Sequence, residues 1–85
     1  MEPDLAIHPG ELLSEEIEAR GITQRELAAR IGRPPQAISE IVTGKKAITA
    51  ETAIQLEAAL GVPAYLWVRL QGDYDIWRAR RRLTA

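Results

Sequence analysis

The sequence predicts an all-α fold of five helices, the last of them extended. Every long segment repeats its apolar residues three or four positions apart, and none alternates apolar and polar residues as a strand would. Phenylalanine is absent and the β-branched residues are scattered singly, which leaves little strand propensity. Glycine or proline stands between one periodic segment and the next, as expected for short helices joined by tight turns.

The length and composition predict one small domain over residues 1–85. A chain of 85 residues has no room for two cores, and the absence of cysteine excludes disulfides and thiolate metal sites. A core this thin favours pairing with a second copy of the chain. No apolar run is long enough to span a membrane, and the acidic start is the reverse of a signal peptide, so we expect a cytoplasmic protein.

Charge is sorted along the chain although the net charge is only −1. Residues 1–19 carry six acidic side chains and no Lys or Arg, whereas residues 20–46 carry six Lys or Arg against two Glu. Four arginines lie near the end of the chain: Arg78, Arg80, Arg81 and Arg82. This separation indicates two faces with different partners, the alternative being charges spread over a solvated surface.

The first helix should begin at Pro9, where a missing N–H costs nothing, and end before Gly21, a left-handed cap. Its predicted buried residues are Leu12, Leu13 and Ile17. Its polar side is crowded with carboxylates: Glu11, Glu15, Glu16 and Glu18. His8, the single histidine, precedes this helix and is interpreted as a residue of the helix start, since no second metal ligand is near it.

The second helix is predicted from Thr23 to Ile31. Thr23 and Glu26 have the spacing of a capping box, and Ile22 and Leu27 that of the hydrophobic staple around it. The residues predicted to face inward are Leu27, Ala28 and Ile31, with Arg25 and Ala29 facing outward.

The third helix is predicted from about Pro35 to Thr43, after a corner at Gly32. Its apolar side consists of Ile38, Ile41 and Val42, and its opposite side of Gln36, Glu40 and Thr43. Two short helices therefore share one apolar seam, and the second presents a small polar face. This is the helix-turn-helix arrangement, in which the second helix enters the DNA major groove.

Two further helices complete the prediction. The fourth runs from Thr49 to just before Gly61 and buries Ala53, Leu56 and Leu60. The fifth starts at Pro63 and reaches about Arg81, with Gly72 inside it as a point that could kink or weaken it. An apolar row along the fifth helix is the candidate dimer interface: Leu66, Leu70, Tyr74 and Trp77.

At the helix pair the sequence resembles the Xre (lambda-repressor-like) helix-turn-helix family. The matching positions are the leading glutamine, the helix-crossing alanine, the corner glycine and two core aliphatics: Gln24, Ala28, Gly32, Ile38 and Ile41. The segments "HPGELLSEEIEARGITQRELAARIG", "GKKAITAETAIQLEAALG" and "LWVRLQGDYDIWRAR" further resemble HigA-type antitoxins from His8 to Arg80. The resemblance implies a lambda-repressor-like bundle that binds operator DNA, represses its own operon and neutralises a small basic ribonuclease toxin of the HigB/RelE type. The predicted toxin-binding residues are the carboxylates of the first helix: Glu11, Glu15, Glu16 and Glu18.

The resemblance also implies roles for individual residues. Gln24 would bind a phosphate, Gln36 and Glu40 would face base edges, and Lys45 and Lys46 would hold the DNA backbone. The full predicted DNA-binding set is Gln24, Arg33, Pro35, Gln36, Ser39, Glu40, Thr43, Lys45 and Lys46. The chemistry is suitable, because Gln can pair bidentately with adenine and Glu can accept from the cytosine amino group.

The sequence departs from the family pattern at Pro34-Pro35, where relatives have a polar cap. Proline supplies neither a capping oxygen nor an N–H for a phosphate, and Glu40 repels phosphate. These features leave two alternatives open: a free-standing Xre-type repressor without a toxin, and a protein-interaction bundle that has lost DNA binding. An enzyme is not expected, since the clustered carboxylates lie on an exposed helix face with no nucleophile nearby, and neither is a metal or cofactor.

Overall fold

The computed structural model describes residues 6–84, and these form five helices with no strand in the described part. The helices are α1 (Pro9–Ala19), α2 (Gln24–Ile31), α3 (Pro35–Val42), α4 (Ala50–Leu60) and α5 (Ala64–Thr84). The predicted all-α fold is confirmed, and each helix starts within one residue of its predicted start. The fifth helix passes through Gly72 as one continuous helix and extends three residues beyond its predicted end.

All five helices contribute to one hydrophobic core. Its fully buried side chains are Leu13, Leu27, Ala28, Ile38, Ala53, Leu56 and Trp67. Burying one side chain of the size of leucine contributes about 1.5–3 kcal/mol, so these few residues hold most of the stability that so small a chain can have. Leu12, predicted to be buried, is only half-buried at the edge of this core.

Side chains cap the helix starts where the sequence places a suitable residue. Thr23 Oγ1 accepts the Glu26 N–H at 3.0 Å, and its hydroxyl donates to the Glu26 carboxylate at 3.3 Å. His8 Nδ1 accepts the Gly10 N–H at 2.9 Å, which confirms His8 as a residue of the helix start. Helix α3 follows Pro34 and has no side-chain cap, as Pro34-Pro35 predicts.

The start of α1 packs directly against the end of α3. A Cβ at Gly10 would overlap the Ile41 carbonyl oxygen, so only glycine allows this approach of the two backbones. The His8 ring covers the same junction, because it lies beside Gly44 and makes an edge-to-face contact with Tyr74 at 4.6 Å between ring centroids. The opening "HPGE" therefore joins α1, the segment after α3 and α5.

A polar contact fixes the segment between α3 and α4 against α5. The Gln71 side chain is buried; its Oε1 accepts the Ile48 N–H at 2.8 Å and its Nε2 donates to Asp75 at 2.9 Å. At the other end of α4, the Ala64 N–H at the start of α5 donates to the Glu57 carboxylate at 2.8 Å. Since residue 64 lies beside residue 57 and residue 71 beside residue 48, α4 and α5 run antiparallel.

We expect Gln71→Leu to lower the free energy of unfolding by about 1–3 kcal/mol, because it leaves the Ile48 N–H buried without an acceptor. Urea titration of the parent and the variant measures this as a lower midpoint with an unchanged slope. Asp75→Asn is the matched control, since Asp75 is exposed and asparagine still offers an oxygen to Gln71. Equal midpoints for Gln71→Leu and the parent would contradict the structural role of this contact.

Candidate nucleic-acid interface

The α2–α3 pair is a rigid unit because its corner is closed by backbone hydrogen bonds. Gly32 ends α2 with φ +69°, a left-handed conformation that suits glycine. The Arg33 N–H then donates to the Ala28 carbonyl at 3.0 Å. The predicted seam is present, with Leu27, Ala28 and Ile31 of α2 and Ile38 and Ile41 of α3 all buried.

Helix α3 presents its polar side to solvent over its whole length. Pro35, Gln36, Ser39 and Thr43 are exposed, whereas Glu40 is half-buried. The Thr43 hydroxyl donates to the Ser39 carbonyl at 2.9 Å, so its proton is engaged within the helix. Ser39 beside Gln36 is small and uncharged, whereas Glu40, one turn further along the same face, carries a negative charge.

The segment after α3 places two lysines beside this face. The N–H groups of Lys45 and Lys46 donate to the Glu40 carbonyl at 2.8 and 3.1 Å, which ends the helix in a tight turn. Both lysine side chains are exposed, and Lys46 Nζ lies 3.9 Å from the Glu40 carboxylate. This pair partly offsets the negative charge that Glu40 brings to the face.

The other two residues of the predicted DNA-binding set occupy different settings. Gln24 is half-buried at the first position of α2. The Arg33 guanidinium is directed at α4, where Nε donates to Gln55 Oε1 at 2.6 Å and a terminal nitrogen lies 3.9 Å from the Glu51 carboxylate. Arg33 thus joins the helix corner to α4. To bind a DNA phosphate as well, its guanidinium would have to share its N–H groups between the phosphate and these α4 side chains.

The acidic side chains of α1 do not all share one surface. Glu11, Glu15 and Glu18 are exposed on the same side of the helix. Glu16 is partly buried and lies 3.2 Å from Arg20, whose guanidinium also donates to the Leu60 carbonyl at the end of α4. The acidic face is therefore defined by Glu11, Glu15 and Glu18, and Glu16 belongs to the contact between α1 and α4.

A family model described as Helix-turn-helix matches residues 13–67. Antitoxin HigA-1 of Vibrio cholerae is 38% identical over 74 residues, which cover 86% of this chain and 70% of that protein. The chain belongs to the HigA-type branch of the helix-turn-helix family. A HigA-family addiction-module antidote protein from Coxiella burnetii is 35% identical, with a TM-score of 0.84 and coverage of 96% of this chain and 87% of that one.

The HigA fold has also been solved with DNA. The structure of Pseudomonas aeruginosa antitoxin HigA with the higBA promoter has a TM-score of 0.86 to this chain at 29% identity, and the match covers 92% of this chain and 86% of that one. This HigA-type chain therefore has the backbone arrangement of a protein solved with its promoter.

Besides the row predicted as the dimer interface, helix α5 of this HigA-type chain exposes a second apolar surface. Within the row Leu66, Leu70, Tyr74 and Trp77, Leu70, Tyr74 and Trp77 are half-buried, and the Tyr74 ring packs on His8. An apolar stripe lies on the other side of the helix: Tyr65, Val68, Ile76 and Leu83, which are 90%, 43%, 51% and 78% exposed. The rotation of α5 is set by Trp67 and Gln71, which face the core, and a buried glutamine gives no hydrophobic signal.

Residues 6–84 contain no helix both long and apolar enough to cross a bilayer. Within the same range, no group of His, Asp or Glu side chains is arranged to hold a metal ion.

Proposed function

We propose that the protein is the antitoxin of a type II toxin–antitoxin module. In this proposal it binds operator DNA through α3, represses its own operon and neutralises a cognate ribonuclease toxin. The observation that carries the DNA-binding part is the exposed polar side of α3, held on a rigid helix pair and followed at once by Lys45 and Lys46. Operator DNA is also present in the solved structures of the related PA4674 of Pseudomonas aeruginosa.

The exposed residues suggest a division of roles on DNA. Gln36 can pair with adenine, the Ser39 hydroxyl can donate to or accept from a base edge, and Glu40 can accept from a cytosine amino group. Gln24, Lys45 and Lys46 are placed to bind phosphates and set the register. Because Pro35 offers no N–H at the start of α3, Lys45 and Lys46 supply the affinity that a helix N-terminus would otherwise add.

We further propose that the protein is a homodimer that reads an inverted repeat with half-sites about one helical turn apart. One eight-residue recognition helix offers few contacts to DNA, so two copies would read a site more selectively. The apolar stripe of α5 (Tyr65, Val68, Ile76 and Leu83) is an exposed hydrophobic patch, and such patches often mark contacts between proteins. A second copy suits this stripe, because Gly72 lies in its middle with no atom near its Cβ position and lets two helices approach closely.

Ile76→Glu should convert the dimer to a monomer at tens of micromolar, because it introduces a charge at the centre of the stripe. Sedimentation equilibrium measures the change, and circular dichroism checks that helicity is retained. Leu66→Glu is the matched variant on the predicted row, and it should leave the dimer intact. The opposite result would assign the interface to the row Leu66, Leu70, Tyr74 and Trp77, and a monomeric parent would remove the dimer proposal.

Toxin neutralisation is proposed on the family membership together with the acidic face. A surface of three exposed carboxylates on α1 suits a basic protein partner. The two alternatives differ in testable ways. A neighbouring reading frame for a small basic ribonuclease distinguishes the antitoxin from a free-standing repressor, and a mobility-shift assay on the upstream DNA distinguishes both from a bundle that has lost DNA binding.

A further inference from the structure

The second half of α5 carries an ordered arrangement of aromatic rings and arginines, which we name the arginine ladder: Tyr74, Trp77, Arg78 and Arg81. The Arg78 guanidinium lies 5.7 Å from the Tyr74 ring centroid, and the Arg81 guanidinium 4.9 Å from that of Trp77. The two rings stack at 5.9 Å with 29° between their planes. Arg82 lines the same shallow cleft beside these residues.

The ladder arginines lack carboxylate partners within the described residues. Neither Arg78 nor Arg81 takes part in the ion pairs of Glu16 with Arg20, Arg33 with Glu51, or Glu40 with Lys46. Glu11 faces the neighbouring groove, which is lined by His8, Tyr74 and Trp77, and not the cleft that holds Arg78 and Arg81. A cationic cluster beside a carboxylate on one side only is open to an anion from the other side.

The cation–π contacts with Tyr74 and Trp77 hold the guanidinium groups of Arg78 and Arg81 in positions from which they can bind an anion. A guanidinium held over a ring by a cation–π contact still has N–H donors for a ligand, and its planar fork matches phosphate geometry bidentately. The ring also restricts the side chain, so that binding an anion costs less conformational entropy. Two such groups one helical turn apart form a fixed pair of donors.

The ladder lies at the same end of the molecule as the lysines that follow α3. Because α5 runs antiparallel to α4, the residues after Gln71 continue past Ile48 for about 20 Å at 1.5 Å per residue. Tyr74 contacts His8, and His8 Nε2 lies beside Gly44, immediately before Lys45. A continuous path of contacts thus connects the ladder with the segment that flanks the recognition helix.

We propose that the arginine ladder binds backbone phosphates of duplex DNA outside the bases that α3 reads. This inference rests on the proposed operator binding and extends its footprint. Its ligand is the phosphodiester backbone and not a base, because in this proposal α3 occupies the major groove and the ladder lies to one side of it, beyond His8 and the segment of Lys45. The contact therefore adds affinity without sequence preference.

The test compares two duplexes, one that ends at the operator and one with ten additional base pairs on each side, in a salt titration. The parent should bind the longer duplex more tightly and with a steeper salt dependence. Arg78→Gln/Arg81→Gln should abolish this gain, and the slope of log K against log salt should fall by about 0.9 for each phosphate that the variant no longer neutralises. Arg30→Gln/Arg69→Gln, with the same change of charge at other exposed positions, should keep the gain.

Three results would overturn the proposal, each in a recognisable way. If the double variant keeps the full gain from the flanks, the ladder does not contact DNA although operator binding stands. If the parent binds neither duplex, operator binding fails and the ladder proposal fails with it. The double variant could instead weaken self-association. If the longer duplex still binds more tightly by the same factor at concentrations where all of the protein is dimeric, the ladder contacts the acidic face of a second copy and not DNA.

Discussion

Replacing Gln36 with alanine should weaken operator binding by about 1–3 kcal/mol and relax the base preference at one position of each half-site. Gln36 is exposed in the first turn of α3, beside the small side chain of Ser39 and one turn before Glu40. The side chain can therefore reach a base edge, and a bidentate pair with adenine accounts for an effect of this size. Competition binding against operators with single base changes measures both the weaker affinity and the relaxed position.

Lys45→Ala is the matched control, because it changes the same face without changing a base contact. It should weaken binding to all sequences alike and reduce the salt slope by about 1. Thermal unfolding of both variants should match the parent, since both side chains are exposed. If both substitutions leave operator binding intact, α3 is not the recognition helix and the protein-interaction bundle becomes the better interpretation.

The sequence predicted the helices well because their signals are local. Apolar spacing and end signals at Thr23, Gly32 and Thr49 each act within one or two turns, and the structure shows the hydroxyl of Thr23 or Thr49 accepting a first-turn N–H. Gly21 and Gly32 both have the positive φ expected of left-handed caps. The polar side of α3 follows from the same local spacing, so its exposed residues can be predicted without knowledge of the fold.

Contacts between distant parts of the chain could not be predicted in this way. The Arg33 contact with Gln55 joins residues 22 positions apart, and that of Gln71 with Ile48 joins residues 23 positions apart. Nothing in the local pattern distinguishes these side chains from solvated ones. The rotation of α5 depends on the second of these contacts, so the sequence alone could not show that Tyr65, Val68, Ile76 and Leu83 stay exposed.

The separation of charge on the chain has a structural counterpart that motivates the toxin proposal. Acidic groups near phosphates reduce DNA affinity, so exposed carboxylates on α1 gain nothing on an operator. Glu11 lies near the start of α1, in the groove beside Tyr74 and Trp77. Glu15 and Glu18 lie further along α1 and are the part of the acidic face that can meet a basic protein while DNA is bound. Complementary charge would speed the encounter and orient the complex, while apolar contacts supply much of its affinity.

Reversal of the charges at the acidic face should therefore slow association with a basic toxin by about 10-fold or more at low salt. The variant of choice is Glu15→Lys/Glu18→Lys, because Glu16 holds Arg20 and its replacement would also disturb the contact of α1 with α4. Stopped-flow association at several salt concentrations measures the effect, and the salt dependence should change sign, since added salt slows attraction and relieves repulsion.

Asp73→Lys combined with Ala29→Lys and Ala58→Lys serves as the control with the same change of net charge, because these three residues are exposed on α5, α2 and α4 and not on α1. It should associate nearly as fast as the parent, while all three proteins keep their helicity. Only a difference in association rate between the α1 variant and the control assigns a role to α1, because a change common to both variants reflects net charge alone. If the α1 variant associates with the toxin and protects cells as quickly as the control, the acidic face serves solubility and the toxin docks elsewhere.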